Sequence, residues 1–148
     1  MKVRLIKVGQ KNIRDIGVLF DLYRQFYKYK TAIKESTNYI KERINNNDSI
    51  IYACYLRNKA VAFVQLYETF DSLNLNKKLV LYDLYVLENY RNKGIAKILM
   101  KKAKEFAIKK KYKIIELSTA ITNKKAQYLY ESLDYKKDKE YYNYYLEI

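Results

Sequence analysis

The sequence feature with the clearest chemical meaning is a basic turn at Arg91–Ala96 that leads into a helix. The apolar run Leu79–Leu87 before it predicts a buried strand, and the apolar spacing of residues 95–110 predicts an amphipathic helix. A helix N-terminus attracts phosphate because its backbone N–H groups are free and its dipole end is positive. Gly94 permits backbone shapes that other residues avoid and lets a ligand approach closely. The turn is therefore predicted to bind an anion such as a pyrophosphate.

The chemistry available to this chain is restricted, because it has no histidine and a single cysteine, Cys54. Histidine is the commonest acid–base side chain and the commonest metal ligand. Proton transfer must therefore use a carboxylate, a tyrosine, a lysine, the cysteine or water, and no metal site is predicted. Cys54 lies in an apolar run with no histidine to activate it, so we expect it to be buried and inert.

Length and composition favour one cytoplasmic domain spanning residues 1–148. No apolar run approaches the roughly 18 residues of a membrane span. The first residues lack a signal-peptide pattern, and a single cysteine excludes an internal disulfide framework. The net charge of +14 is dispersed over the chain, which predicts a lysine-rich solvated surface. Capture of an anionic cofactor and binding of nucleic acid are the alternative explanations of this charge.

Hydrophobic spacing predicts the elements that position these residues. Strands are predicted at residues 2–8, 50–56, 60–67, 79–87, 113–118 and 141–148. Helices are predicted at residues 12–29, from residue 33 to a stop near 45–48, and at residues 95–110 and 123–133. Residues 57–59 are expected to form a hairpin turn and residues 70–78 a looser polar connection. Because a strand–helix–strand crossover pairs its strands in parallel, we expect a mixed sheet with helices on both faces.

The basic turn does not fit two familiar phosphate-binding patterns. A P-loop requires Gly-Lys-Ser/Thr, but Ile95 follows Gly94, and the dinucleotide fingerprint requires three spaced glycines. The arrangement Arg/Gln-x-x-Gly-x-Gly/Ala at Arg91–Ala96 resembles instead the acetyl-CoA-binding motif of the GNAT N-acetyltransferase superfamily. Further segments are similar to this family in the same order: Phe20–Tyr27, Leu81–Val86, Leu117–Ala120 and Ala126–Tyr135. The first of them resembles the first helix of a subgroup related to histone and polyamine acetyltransferases.

The resemblance implies the GNAT fold, of the α/β (α+β) class. This fold is a mixed, mostly antiparallel sheet of about six to seven strands, with helices on both faces and a splayed parallel strand pair. The strand ending at Val86 would separate from its parallel neighbour near Leu117. Asp134 stands where the family usually has a glycine at a helix end, and aspartate tolerates the left-handed backbone conformation needed there.

The resemblance also implies that acetyl-CoA is the cosubstrate. Its pantetheine arm would bond to the backbone of Leu84, Tyr85 and Val86 like an added strand. A backbone N–H near Val86 would polarise the thioester oxygen. The pyrophosphate would bind at Arg91, Asn92, Lys93, Gly94, Ile95 and Ala96. Asn123 would contact the cofactor, or would only cap the helix that follows it.

Two side chains are the candidates for proton transfer. Tyr130 matches the family tyrosine that protonates the departing thiolate, although a core role is the alternative in a chain with 18 tyrosines. Asp83 would be the base, since burial in an apolar strand would raise its pKa. A structural aspartate bonded to nearby backbone, or a water relayed through Asp83 or a tyrosine, are the alternatives. Tyr82 and Asp83 face opposite ways unless a bulge re-aims one of them.

The acceptor is predicted to be a primary amine of a small molecule or of a peptide or protein lysine. Tyr23 and Tyr27 would hold it by cation–π contact, or would be core residues. The function predicted is direct transfer in a ternary complex, with no specific nucleic-acid or membrane partner. A basic nucleic-acid-binding module and a CoA-binding protein without catalysis are the other interpretations. The predicted final strand carries four tyrosines that are expected either to form a homodimer contact or to pack over the sheet of their own chain: Tyr141, Tyr142, Tyr144 and Tyr145.

Overall fold

Residues 2–148 are described by the computed structural model, and their helices and strands alternate largely as predicted. The strands are β1 Arg4–Lys7, β2 Ile50–Leu56, β3 Lys59–Asp71, β4 Asn76–Val86 and β5 Ile115–Glu116. The helices are α1 Ile13–Phe26, α2 Ile33–Asn46, α3 Ile95–Lys109 and α4 Lys124–Glu131. Short 3-10 turns at Gln10–Asn12 and Glu88–Tyr90 precede α1 and follow β4. The chain forms two compact units, one ending at Leu117 and the other beginning at Ser118.

The first unit contains a mixed sheet. Within residues 2–148 the sheet has five strands in the order β1-β2-β3-β4-β5. Strands β1 to β4 pair antiparallel, whereas β4 and β5 are parallel, with Leu79 opposite Ile115 and Val80 opposite Glu116. The predicted α/β class and the predicted parallel pair across a crossover helix are therefore confirmed.

Helices cover both faces of the sheet, as predicted. Ile51 of β2 belongs to one core cluster with Ile16 of α1 and Ile40 of α2. Tyr52 points to the opposite face because side chains alternate along a strand. Its ring meets that of Phe106 on α3 at a centroid distance of 6.1 Å. Burial of each large apolar side chain contributes about 1.5–3 kcal/mol, so both layers hold the central strands in place.

The predicted final strand at residues 141–148 is wrong, and so is the expected total of six to seven strands. Tyr141 and Tyr142 are 72% and 90% exposed, and their neighbours Tyr144 and Tyr145 are exposed as well. Side chains at odd-numbered and at even-numbered positions, which would point to the two faces of a strand, therefore both lie in solvent. A strand gains stability from packing at least one face, and this segment packs neither.

The connection predicted at residues 70–78 is also different in the structure. The segment consists of the ends of two long strands joined by a tight turn. The N–H of Leu75 donates to the carbonyl of Ser72 at 3.1 Å, and the Asn74 side chain donates to Asp71 at 2.8 Å. Short polar side chains stabilise tight turns, so the polarity of this segment marked a hairpin rather than a loop.

The connection between α1 and α2 is built around the buried carboxylate of Asp21. Its oxygens accept hydrogen bonds from Gln25 Nε2 at 2.9 Å, Thr31 Oγ1 at 2.7 Å, the Ala32 N–H at 2.8 Å and Ser36 Oγ at 2.9 Å. Burial raises the pKa of Asp21, but these hydrogen bonds outweigh burial and lower the pKa below its usual value. The carboxylate thereby fixes the chain path between the two helices.

Asp21→Ala is expected to destabilise the fold by about 3 kcal/mol, because it leaves buried donors without an acceptor. Urea unfolding at neutral pH measures this loss, and the exposed-site control Glu35→Gln should stay within about 0.5 kcal/mol of wild type. The contribution of Asp21 to the free energy of unfolding is complete above the usual aspartate pKa of about 4. It is lost as pH falls through the lowered pKa of Asp21 in the folded state. A loss below about 1 kcal/mol in the alanine variant would contradict this assignment.

Candidate active site

Strand β4 loses its parallel neighbour partway along its length. Pairing with β5 covers Leu79 and Val80. From Leu81 to Val86, no strand within the described residues lies along the edge of β4 that faces away from β3. The parallel ladder therefore ends at Val80, and Leu81 to Val86 have no paired strand on this side within the first unit.

A β-bulge falls in the part of β4 that follows Val80. Gln65 of β3 lies opposite Asp83, whereas the next residue, Leu66, lies opposite Leu81, so Tyr82 is the extra residue. A bulge bends its strand and re-aims side chains, and bulges are frequent next to active sites. Strict alternation therefore does not hold at Tyr82 and Asp83, and the two side chains need not face opposite sides of the sheet.

Two residues on β4 direct their backbone N–H and C=O groups away from β3. Residues of an antiparallel ladder alternate between directing their backbone groups toward the partner strand and away from it. The N–H of Leu87 donates to the carbonyl of Val61 at 2.9 Å, so Leu87 and Tyr85 direct their backbone toward β3. Leu84 and Val86 therefore direct theirs outward. These two residues have the orientation that the predicted cofactor contacts require, whereas the amide of Tyr85 faces the sheet.

A cavity of about 440 Å³ is bordered by α1, α2 and the strands near the bulge. Its wall is lined by Phe20, Tyr23, Arg24, Tyr27, Tyr29, Tyr39, Tyr67, Tyr82 and Asp83. The rings of Tyr23 and Tyr27 meet edge to face at a centroid distance of 5.1 Å. The structure thus brings together the predicted base and both tyrosines predicted to hold the acceptor.

Asp83 is the buried acid of this cavity, with 3% of its surface exposed. Gln65 Nε2 donates to Asp83 Oδ2 at 2.7 Å. The Tyr23 hydroxyl, which donates to the carbonyl of Tyr82 at 3.3 Å, lies close by. Burial raises the pKa of Asp83, and the contacts with Gln65 and Tyr23 offset this only in part. A carboxylate with a raised pKa takes up a proton more readily than a surface aspartate does.

Three tyrosines of the wall, Tyr23, Tyr27 and Tyr67, stay protonated at neutral pH because their pKa values are raised. Burial raises the pKa of Tyr23 and of Tyr27, and the charge of Asp83 raises both further. Burial also raises the pKa of Tyr67, whose hydroxyl lies 2.7 Å from that of Tyr39. These hydroxyls therefore cannot act as bases, and Asp83 is the wall residue suited to accept a proton.

The turn between β4 and α3 has the backbone shape of an anion site. Gly94 has a φ of 77° and Asn92 a φ of 58°, both in the left-handed region. Helix α3 begins at Ile95, and across residues 2–148 no side chain caps this helix start. A Cβ atom on Gly94 would meet no atom within 4 Å, so the space beside the turn is open. The N–H groups of the first helical turn are thus available to an anion.

The two basic side chains of the turn fold back onto the protein. Arg91 Nε donates to the carbonyl of Val86 at 2.9 Å, and its guanidinium lies 5.4 and 5.5 Å from the ring centroids of Phe26 and Tyr85. Lys93 Nζ donates to a carbonyl of the preceding 3-10 turn at 3.0 Å. Both residues supply positive charge beside the turn, and Arg91 also ties the turn to the end of β4.

The second unit contains the remaining predicted site residues. The N–H of Ala126 donates to Asn123 Oδ1 at 3.2 Å, which confirms Asn123 as the cap of α4. Tyr130 is half-buried on α4, and its ring lies 6.2 Å from that of Tyr135. Asp134 has a φ of 67°, the left-handed conformation predicted for the residue that replaces the usual glycine.

Residues of the cavity region that sequence analysis did not assign to it include Gln65, Arg24, Tyr39 and Tyr82. Gln65 had a usable signal, because a glutamine inside an apolar strand must find a buried partner. Tyr39 and Tyr82 had none, since nothing in their spacing separates them from the other tyrosines.

Cys54 is buried, and burial raises the pKa of its thiol to about 11, in agreement with the inert role predicted for it. Among residues 2–148, no group of three or more His, Cys, Asp or Glu side chains is arranged to hold a metal ion. In the same part of the chain, no helix has the length and apolar character that crossing a membrane requires.

Comparison with known proteins adds independent findings. The model of the acetyltransferase (GNAT) family matches residues 17–135. The uncharacterized N-acetyltransferase YhfO of Bacillus subtilis (strain 168) is 32% identical over 133 residues, which cover 90% of this chain and 89% of YhfO. The crystal structure of a probable acetyltransferase has a TM-score of 0.92 at 31% identity and covers 98% of this chain and 97% of its own. An aminoglycoside acetyltransferase, meta-AAC0020 from an uncultured soil metagenomic sample, has a TM-score of 0.85 at 17% identity. The match covers 99% of this chain and 96% of that structure, and at this identity it shows the fold alone.

Proposed function

Because the chain belongs to the GNAT acetyltransferase family, we propose that it transfers the acetyl group of acetyl-CoA directly to a primary amine held beside Asp83. The chain is an acetyltransferase, as its relatives and structural neighbours are. The proposal rests above all on Asp83, a buried carboxylate in a tyrosine-lined cavity on the strand that leads to the basic turn. The family match runs through residues of both units, which supports the interpretation of residues 1–148 as one domain.

The residues at the edge of β4 and in the turn fit acetyl-CoA, the cosubstrate that GNAT acetyltransferases use. Acetyl-CoA supplies an acetyl group activated as a thioester. The outward backbone of Leu84 and Val86 would bond the pantetheine arm, and the Val86 N–H would donate to the thioester oxygen. The open space beside Gly94 and the uncapped start of α3 would accommodate the pyrophosphate.

Asp83 would prepare the amine and remove its proton. An ionised Asp83 pairs with the incoming ammonium and accepts a proton, which leaves a nitrogen lone pair free to attack. The nitrogen–carbon bond forms and the carbon–sulfur bond breaks. The sulfur leaves with the bonding electrons and takes a proton from Tyr130, the residue that the resemblance of α4 assigns as general acid. The attacking nitrogen then loses its second proton, and proton return through solvent restores Tyr130 to its neutral form. Asp83 releases the first proton to solvent, so the net products are an acetamide, the free CoA thiol and one proton.

Tyr130→Phe is expected to lower kcat about tenfold to a hundredfold, because the thiolate must then leave without a positioned proton donor. Acetyl-CoA affinity should stay within about twofold of wild type, since the change removes one hydroxyl. The matched control is Tyr128→Phe on the same helix, where the ring is 77% exposed and no effect is expected. Equal turnover in the two variants would remove Tyr130 from the mechanism and leave a structural role for it.

A thiol-release assay tests the proposed function. The chain is mixed with acetyl-CoA and a panel of primary amines, free CoA is measured with a thiol reagent, and the amine is analysed by mass spectrometry. Amine-dependent thiol release with one acetyl group gained by the amine would support acetyl transfer. Saturable acetyl-CoA binding with no release for any amine would support binding without catalysis.

A further inference from the structure

We propose that the acceptor is a small amine with a single positive charge and an apolar or aromatic body, rather than a polyamine, an aminoglycoside or a lysine-rich peptide. This inference depends on the acetyl transfer proposed above and adds the class of acceptor. The charges, rings and size of the cavity that contains Asp83 favour this class of acceptor.

The negative charge of the cavity wall is sufficient to neutralise one ammonium group. Asp83 is the one carboxylate among the wall residues that the structure describes. Behind it, Gln65 is fully buried, and its Oε1 atom has no hydrogen-bond partner within residues 2–148. The other atom of the same amide, Nε2, donates to Asp83 Oδ2 at 2.7 Å and so holds the carboxylate that lies on the cavity wall. One cation would thus neutralise the buried carboxylate of the wall.

A second positive charge would meet Arg24, the cation of the cavity wall. The Arg24 guanidinium lies 3.7 Å from an oxygen of Asp21, and that carboxylate already accepts hydrogen bonds from the α1–α2 connection. Arg24 also lies over the ring of Tyr29, at 5.3 Å from the centroid. Its charge is therefore only partly compensated, and it repels an additional ammonium.

The rest of the wall suits a single cation with an apolar body. Tyr23 contacts Tyr27 edge to face, and Tyr67 contacts Tyr82 in the same way at a centroid distance of 5.5 Å. Ring faces attract one cation and also pack against methylene or aromatic groups. A volume of about 440 Å³ is within the range of cavities that bind small molecules.

Two acceptors with the same six-carbon chain separate the effect of charge from that of the apolar body. With n-hexylamine and hexamethylenediamine, the thiol-release assay should give a kcat/KM at least about tenfold higher for the monoamine, since the diamine adds only a second ammonium. Tyramine, an aromatic monoamine, should be accepted at least as well as n-hexylamine. An equal or better rate with the diamine would overturn the acceptor class while confirming acetyl transfer. Absence of release with all three amines would overturn both proposals.

Arg24→Gln tests whether the charge of Arg24 causes the preference for the monoamine over the diamine. This variant is expected to narrow the monoamine-to-diamine ratio to about threefold or less, because it removes the repelling charge from the wall. Lys34→Gln removes one positive charge from an exposed position of α2 outside the cavity and should leave the ratio unchanged. An unchanged ratio in Arg24→Gln would contradict the proposed role of Arg24.

Discussion

Asp83→Asn is expected to lower kcat/KM for amine acetylation about a thousandfold, because an amide neither accepts a proton nor pairs with an ammonium at neutral pH. Acetyl-CoA affinity should remain within about twofold of wild type, since the outward backbone of Leu84 and Val86 and the basic turn are unchanged. Steady-state kinetics at saturating acetyl-CoA measure the first effect, and isothermal titration calorimetry measures the second.

The stability of this variant separates a catalytic role from a structural one. Burial raises the pKa of Asp83, so the folded state disfavours its ionised form, and a neutral amide of the same shape should unfold at the same or a higher urea concentration. Asp71→Asn, at the end of β3 and outside the cavity wall, is the control and should have normal kinetics. An Asp83→Asn variant that keeps more than about a tenth of wild-type kcat/KM would contradict the assignment of the base.

The pH dependence of the wild-type enzyme follows from the same carboxylate. Asp83 must be ionised to pair with an ammonium and accept a proton, so kcat/KM should fall as pH falls through its pKa. Because burial raises that pKa, the midpoint of the fall should lie above the usual aspartate value of about 4. A midpoint at or below the usual value would show that the group controlling the rate is not a buried carboxylate.

Gly94→Val is expected to weaken acetyl-CoA binding about a hundredfold. A side chain at a φ of 77° costs about 1–2 kcal/mol, so the turn would change shape and move the N–H groups that start α3. A Cβ atom there would also project into the open space predicted for the pyrophosphate. Titration calorimetry with acetyl-CoA measures the loss of affinity.

The chain contains a matched control for this substitution. Gly9 has a φ of −139°, a conformation open to any residue, and a Cβ on it would also meet no atom within 4 Å. Gly9→Val should therefore bind acetyl-CoA as wild type does. If the two valine variants bind acetyl-CoA equally well, the pyrophosphate does not contact the turn at Gly94.

The sequence was sufficient to predict the strand, turn and helix around the basic turn. The apolar run before Gly94 and the regular apolar spacing after it are strong local signals, and α3 begins at Ile95 as predicted. The left-handed conformation of Asp134 was predictable for the same reason, because a helix end depends on neighbouring residues. Local chemistry determined each of these features.

The cavity was only partly predictable, because it depends on contacts between segments that are distant in the chain. Tyr23 and Asp83 were identified one by one, but a bulge between β3 and β4 and the packing of α1 against these strands bring them together. The predicted strand at residues 141–148 failed for a related reason. The weak alternation of residues 141–148 indicates a strand only where a packed face exists, and Tyr142 is 90% exposed.

The most direct test of the central claim is a crystal structure of the chain with acetyl-CoA. We predict pyrophosphate oxygens within hydrogen-bonding distance of backbone N–H groups at residues 92–96 and a thioester carbonyl that accepts from the N–H of Val86. The thioester carbon should lie within reach of an amine bound beside Asp83. Acetyl-CoA bound elsewhere, or bound with its pyrophosphate away from this turn, would contradict the claim.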